Sequence, residues 1–317
     1  MVGFDTSFHA VDIRMIESRI IPFVAGFGAD HDLDDLIARA VEQRKVRFRA
    51  KAWALGAYAA AGHDSGFDAQ LHVWGRPYLI TAERAAEVAE TVVRYTNCTP
   101  EAVDALAVEQ LRALDPRLAA HTQPDTDGSL PDDHGLTMLL SWKIRLLRDA
   151  MVALRTGRGA VTPPGGDTQD AGEVLANNLQ FAVVEFAAAL LPGWMDRGPC
   201  WPTLLAEEAG LGHPHGFTDN EPLLGLLGAQ MPEFPWPIRD TIEENYEVGG
   251  FVPAMDVAAA RQWLTDHAAH LTTEPNGSDR LTTTLRKCDE ALALAQRIGG
   301  GFAEATEIYS GLEGELN

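Results

Sequence analysis

The sequence predicts a mainly α chain of the α+β type, with bundle-like helical lobes and a small antiparallel sheet near the N-terminus. Three observations carry that prediction. Long stretches rich in Ala, Leu and Arg place apolar residues at helical spacing, a short alternating run opens the chain, and no regular succession of strand and helix exists that would build a doubly wound sheet. No segment repeats at a fixed period, so a solenoid is not expected.

Taken in order, Val2, Phe4, Thr6, Phe8 and Ala10 share one face of an expected half-buried strand, with Asp5, Ser7 and His9 on the other. Ile13, Ile16, Ile20 and Ile21 follow helical spacing until Pro22, Gly26 and Gly28. A long helix is expected from Leu33 to Ala61. From Phe67 to Thr81 the residues read as two short strands around Trp74-Gly75-Arg76-Pro77. Thr81 and Thr99 stand at helix N-cap positions, and Pro100 at a first helical position, which predicts helices over 82–96 and 100–114.

The stretch from Asp115 to Gly135, rich in proline and aspartate, reads as an exposed loop, and helix resumes over 136–155. Glycines and prolines at Gly157, Gly159, Pro163, Pro164, Gly165 and Gly166 make residues 159–171 the expected linker between an N-terminal lobe (1–158) and a C-terminal lobe (172–317). Further helices are expected over 171–191, 202–210, 255–270 and 279–298, with a proline-broken region between the second and third of these.

Of 317 residues, 46% are hydrophobic and 22% charged, which is ordinary for a folded chain. The N-terminus lacks the basic region and apolar run of a secretory signal. The most apolar stretch, Phe181 to Leu191, is about half the roughly 20 residues a membrane span needs, and it carries Glu185. Cys98, Cys200 and Cys288 are far apart and odd in number, which fits a reducing, cytoplasmic setting.

Net charge is −21, unevenly distributed. Residues 1–158 hold 18 basic and 22 acidic side chains, whereas residues 159–317 hold 7 and 24. A field of that sign repels phosphate backbones and disfavours nucleic-acid binding by the latter half.

Chemical motifs are mostly absent. Gly26 and Gly28 lack the third glycine of a dinucleotide turn, and neither a phosphate-binding Gly-Lys-Ser/Thr loop nor a Gly-x-Ser-x-Gly elbow occurs. Aligning Gly128 with a calcium loop puts Gln123 and His134 at ligand positions that need oxygen donors, so Asp125, Asp127 and Ser129 read as a solvated loop. His267 and His270 share a helix face and His213 and His215 flank Pro214, which makes these four weak metal-ligand candidates. Arg44, Lys45, Arg47, Arg49 and Lys51 spread around their helix and read as a solvated surface.

Two functional expectations follow. The leading one is a protein-binding chain without cofactor, of the immunity or antitoxin kind, whose acidic C-terminal half docks a basic partner; Trp74, Trp194, Trp201, Phe234 and Trp236 are its expected anchors. The alternative is an acid–base enzyme, or one dependent on a divalent metal, using Asp5, His9 and His72 with Arg76 holding an anionic substrate, provided that the two N-terminal strand regions pair. A third expectation is a self-associating scaffold packed through the apolar helix over 171–191.

Overall fold

Alternation along the first strand, β1 (Thr6–Val11), places Thr6, Phe8 and Ala10 on one face and Ser7, His9 and Val11 on the other. The computed structural model describes residues 5–61, 66–163, 165–220, 225, 242, 244–272 and 278–308. Within them β1 is fully buried rather than half-exposed, because it is a central strand with both faces covered.

Helices follow β1. Ile13–Met15, the π-helical Ile16–Ile20 and Ile21–Val24 run together and bury Ile16, Ile20, Ile21, Phe23 and Val24. The long helix α1 (Asp34–Ala60) opens with Asp34 and Asp35, whose charges favour the positive end of the helix dipole. Next come α2 (Ala85–Thr96), α3 (Val103–Leu114), α4 (Pro116–His121), α5 (Asp133–Arg155) and α6 (Ala171–Leu190). Asp115, Asp132 and Asp170 cap α4, α5 and α6 by accepting backbone N–H bonds. Then follow β2 (Trp194–Asp196), α7 (Pro202–Glu208), β3 (Val248–Val252), α8 (Val257–Leu271), α9 (Ser278–Ile298) and β4 (Gly301–Thr306).

The main sheet is antiparallel throughout, in the order β2-β1-β4-β3. Phe8 lies opposite Trp194 and Glu304, while Ser7 lies opposite Met195 and Ala305, and His9 opposite Ala303. The Phe8 face packs on Leu292, Leu294 and Ala295 of α9 together with Trp201 and Phe302. The His9 face meets α5 and α6, where Val11, Ala303 and Ala305 join Ile144, Leu147, Val183 and Phe186. A third cluster sets Trp53 and Ala57 of α1 against Val73, Leu79 and Leu111. Strands and core residues from both sides of residues 159–171 thus meet in one sheet, and that segment itself forms a short hairpin pairing Ala160–Val161 with Gln169–Asp170.

Several expectations are corrected. Residues Gln70–Gly75 form a π-helical turn, not a strand, and Arg76 to Pro77 continue as irregular chain. The carbonyls that a strand would offer to a neighbour are taken by side chains instead: Lys51 donates to Val73 O and, at 2.6 Å, to Arg76 O, while Arg76 itself donates to Ile80 O and Ala82 O. Helix α2 starts at Ala85, and the Thr81 hydroxyl donates to Gln110 O rather than capping it. The polar stretch after Asp115 contains α4 and lies against α1, where Asp125 N donates to Ala52 O. Arg47 and Lys51 are buried, so the basic run on α1 is not a solvated face.

Candidate functional site

His9 reaches its position through the pleat of β1. Two residues away on the same face, the Ser7 hydroxyl lies 2.8 Å from Thr306 O and 3.3 Å from Ala305 O, and His9 Nε2 lies 2.8 Å from Ser7 Oγ. A hydroxyl has one proton to give, and here a carbonyl receives it, so Nε2 must carry the proton that bridges to Ser7 Oγ. Nδ1 is therefore a bare lone pair. That atom is buried and has no hydrogen-bond partner among the described residues. Burial, with a smaller contribution from the Arg47 charge, pushes the imidazole down from 6.5 to about 3, so it stays neutral at ordinary pH.

The His9 ring forms part of a pocket of about 270 Å³ between the sheet, α1, α5 and α6. Arg44 and Arg47 enter from α1, three residues apart and hence on one side of the helix. Lys143 of α5 and Glu185 of α6 form an ion pair at 2.8 Å across it. Leu140, Ile144, Phe186 and Met195 supply apolar wall. Exposed Trp142 and Leu139 also line the pocket, and Lys143 Nζ sits 5.6 Å from the Trp142 and Phe181 ring centres and 5.7 Å from that of Tyr246. Gly193 closes the pocket beside His9, and a β-carbon there would overlap Nδ1 and Cε1 of the imidazole.

The expected quartet of Asp5, His9, His72 and Arg76 does not come together. Asp5 accepts from Gly198 N at 2.7 Å beyond the end of β1. His72 and Arg76 lie on the α9 side of the sheet, opposite the His9 pocket. There Arg76 donates to Glu290 through Nε at 2.9 Å and through its terminal nitrogen at 2.5 Å, with both side chains fully buried. Trp194 Nε1 donates to the same carboxylate at 2.9 Å, and Arg286 approaches it at 3.1 Å. His72 Nδ1 is 2.7 Å from Ile80 O, and burial followed by the Arg76 charge lowers its pKa to about 4.

The other expected residues scatter. Half-buried Trp74 packs edge-on against Tyr58, and Trp201 is buried in the core. Phe234 and Trp236 lie outside the described residues. His213 and His215 are exposed; His267 stacks on Trp263 and bonds to its carbonyl, whereas His270 is exposed. No group of three or more His, Cys, Asp or Glu suited to a metal occurs among the described residues, nor does any described helix have the length and apolarity to cross a membrane.

Sequence reasoning missed Glu304, a fully buried carboxyl on the Phe8 face. It accepts from Thr203 N at 3.0 Å, Thr203 Oγ1 at 2.5 Å and Gly250 N at 3.1 Å, and burial outweighs these bonds to raise its pKa to about 7. Gly250 is explained by that approach, since a β-carbon there would stand 2.7 Å from Glu304 Oε2, while one on Gly249 would meet Ile242 at 2.9 Å. Also missed were Arg44, Arg47, Lys143 and Gly193 as parts of one pocket. The signals on offer were the three-residue spacing of the arginines and the lone Glu185 in an apolar helix. Searches against protein-family models, curated proteins and solved structures return no match to the chain.

Proposed function

We propose that the chain binds a small organic anion with an apolar body in the His9 pocket. The observation that carries this reading is a pocket of about 270 Å³ whose lining sets the side chains of Arg44, Arg47 and Lys143, with Glu185, beside apolar walls. Cations draw in a negative group, and Leu140, Ile144 and Phe186 shelter its hydrocarbon part. The volume lies just below the roughly 300–1,000 Å³ of drug-sized sites, which favours a ligand of metabolite size.

For a second reading, docking of a basic partner on an acidic face, the described carboxylates of the latter half divide: Asp167, Glu207 and Glu208 are exposed, whereas others are paired or buried. Asp196 is held by Lys287, Asp289 by Arg261, Glu185 by Lys143 and Glu290 by Arg76 and Arg286, while Glu304 is buried. An acid–base enzyme built on Asp5, His9, His72 and Arg76 loses its premise of proximity.

Isothermal titration with 3-phenylpropanoate and its neutral amide, 3-phenylpropanamide, tests the reading. The carboxylate is expected to bind, more weakly as salt is added, and the amide at least about tenfold more weakly. Equal affinity for both, or no binding by the carboxylate, overturns it.

A further inference from the structure

We infer that two copies of this chain pair through α5, antiparallel about a two-fold axis at Trp142. This stands apart from the anion reading above. Eight large apolar side chains are exposed among the described residues, and four of them, Met138, Leu139, Trp142 and Tyr246, gather around α5. Lys143 ties Trp142 to Tyr246, its Nζ lying 5.6 and 5.7 Å from their ring centres. Leu136, Ile144, Leu147 and Met151 already give α5 a buried core face, so the patch is a second apolar face on the same helix. Met138, Trp142, Arg145 and Asp149 recur at three- and four-residue spacing and form one line along it. An exposed apolar patch of this kind marks a contact surface. The helix expected to self-associate, α6, does not offer one, because Val174, Leu175, Val183 and Val184 are buried in the core.

Charge decides the occupant. Three cations of α5 are matched within one copy: Lys143 by Glu185 at 2.8 Å, Arg145 by Asp34 at 3.0 Å and Arg148 by Asp30 at 2.9 Å. A strongly acidic or basic partner therefore gains little at this face. What remains open is self-complementary. Exposed His134 stands at the start of α5, and exposed Asp149, which makes no ion pair among the described residues, stands toward its other end. Partial burial and the neighbouring Asp30 charge hold the Asp149 carboxyl above its ordinary value, as for a carboxylate short of counter-charge. A two-fold axis at Trp142 sets the residues before it in one copy beside the residues after it in the other. At about 1.5 Å per residue, His134 lies about 12 Å before the axis and Asp149 about 10 Å after it. Each imidazole thus meets the carboxylate of the second copy, twice per dimer, while Leu139 packs on the second copy's half-buried Leu146 and the two Trp142 rings meet at the axis. Leu139 and Trp142 also line the pocket, whose rim the second helix follows.

Sedimentation equilibrium of the full chain is the test. One helix face sits at the weak end of protein interfaces, so a dimer with Kd on the order of 10 μM is expected. Trp142→Glu is expected to raise that Kd at least about tenfold and to leave the circular dichroism unchanged, since the side chain is 45% exposed in the single copy. Exchange of charge tests the antiparallel register. His134→Glu and Asp149→Lys are each expected to weaken the dimer at least about threefold, and the double variant, which sets a carboxylate and an ammonium across the axis again, is expected to recover it. Should Trp142→Glu misfold, the charge variants decide alone. A chain that stays monomeric at about 0.5 mM, a dimer indifferent to Trp142→Glu, or charge variants whose losses add without recovery would each overturn the inference.

Discussion

Replacing Glu290 by Leu strands the Arg76 guanidinium in the core, and the structure sets the size of the effect. Both side chains of the pair are fully buried, and two bonds of 2.9 and 2.5 Å join them. In Glu290→Leu the guanidinium keeps Ile80 O and Ala82 O but loses its counter-charge, and removing one partner of such a pair costs about 3–5 kcal/mol. Unfolding entropy of about 2.1 cal/mol/K per residue over 317 residues converts that to a fall of roughly 4–8 °C in Tm. Arg76→Met is expected to cost a similar amount, because Glu290 is then left with the half-exposed Arg286 and Trp194 Nε1. The double variant removes both charges and leaves mainly the Trp194 N–H unmatched, a loss of about 1–3 kcal/mol. It should therefore be at least as stable as either single variant. Urea unfolding of the four proteins measures the coupling. Additive losses, or single variants each costing under about 1 kcal/mol, would refute the reasoning.

Glu304→Gln is expected to change the pH dependence of stability. The folded carboxyl is raised from 4.5 to about 7, so its proton-linked stability is fully present below pH 4.5 and lost as pH rises through 7, about 3 kcal/mol in all. Unfolding curves at pH 5 and pH 8 should show the variant gaining on the wild type by about 2–3 kcal/mol at the higher pH; parallel profiles contradict it. His9 and His72 act with the opposite sign. Their folded values fall from 6.5 to about 3 and about 4, so their stability is present above pH 6.5 and lost as pH falls through those values. His72→Gln, which retains a donor for Ile80 O, should flatten the acid limb of the urea midpoint profile by about 1.4 kcal/mol per pH unit between pH 6 and pH 4.5. Gly193→Ala drives a β-carbon into the imidazole of His9, and an overpacking cost of about 1–3 kcal/mol should appear in Tm together with loss of 3-phenylpropanoate binding.

Helices were readable because their signals are local. The apolar spacing over 33–61 and 136–155 and Pro100 at a first helical position each act within a few residues, whereas the capping aspartates Asp132 and Asp170 fell in stretches read as loop and linker. Strand β1 announced itself by alternation, yet its partners did not. Trp194–Asp196 is too short to alternate, and Val248–Val252 carries two glycines and is bulged between Val248 and Phe251. Gly301–Thr306 hides a buried Glu304 among small residues. Leu71, Val73 and the flanking polar residues imitated a strand because a π-helical turn also brings apolar side chains inward at short spacing.

The pocket was illegible for a different reason. His9 was singled out from its strand face, but Arg44, Arg47, Lys143 and Glu185 come from three helices that meet β1 only after folding. Charge totals pointed to an acidic latter half, whereas pairing across the fold, Arg76 to Glu290 and Lys143 to Glu185, decides how much of that charge is open to a partner. Asp5 and His72 shared a plausible chemistry with His9 in sequence, but Asp5 is engaged by Gly198 N beyond the end of β1 and His72 by Ile80 O.

A crystal structure grown with 3-phenylpropanoate asks most directly whether the pocket between the sheet, α1, α5 and α6 receives an organic anion. The expected density places the ligand in this pocket and turns its carboxylate toward Arg44, Arg47 and Lys143. A ligand bound elsewhere, or one seated with its phenyl ring against His9 and its carboxylate in solvent, would contradict the account.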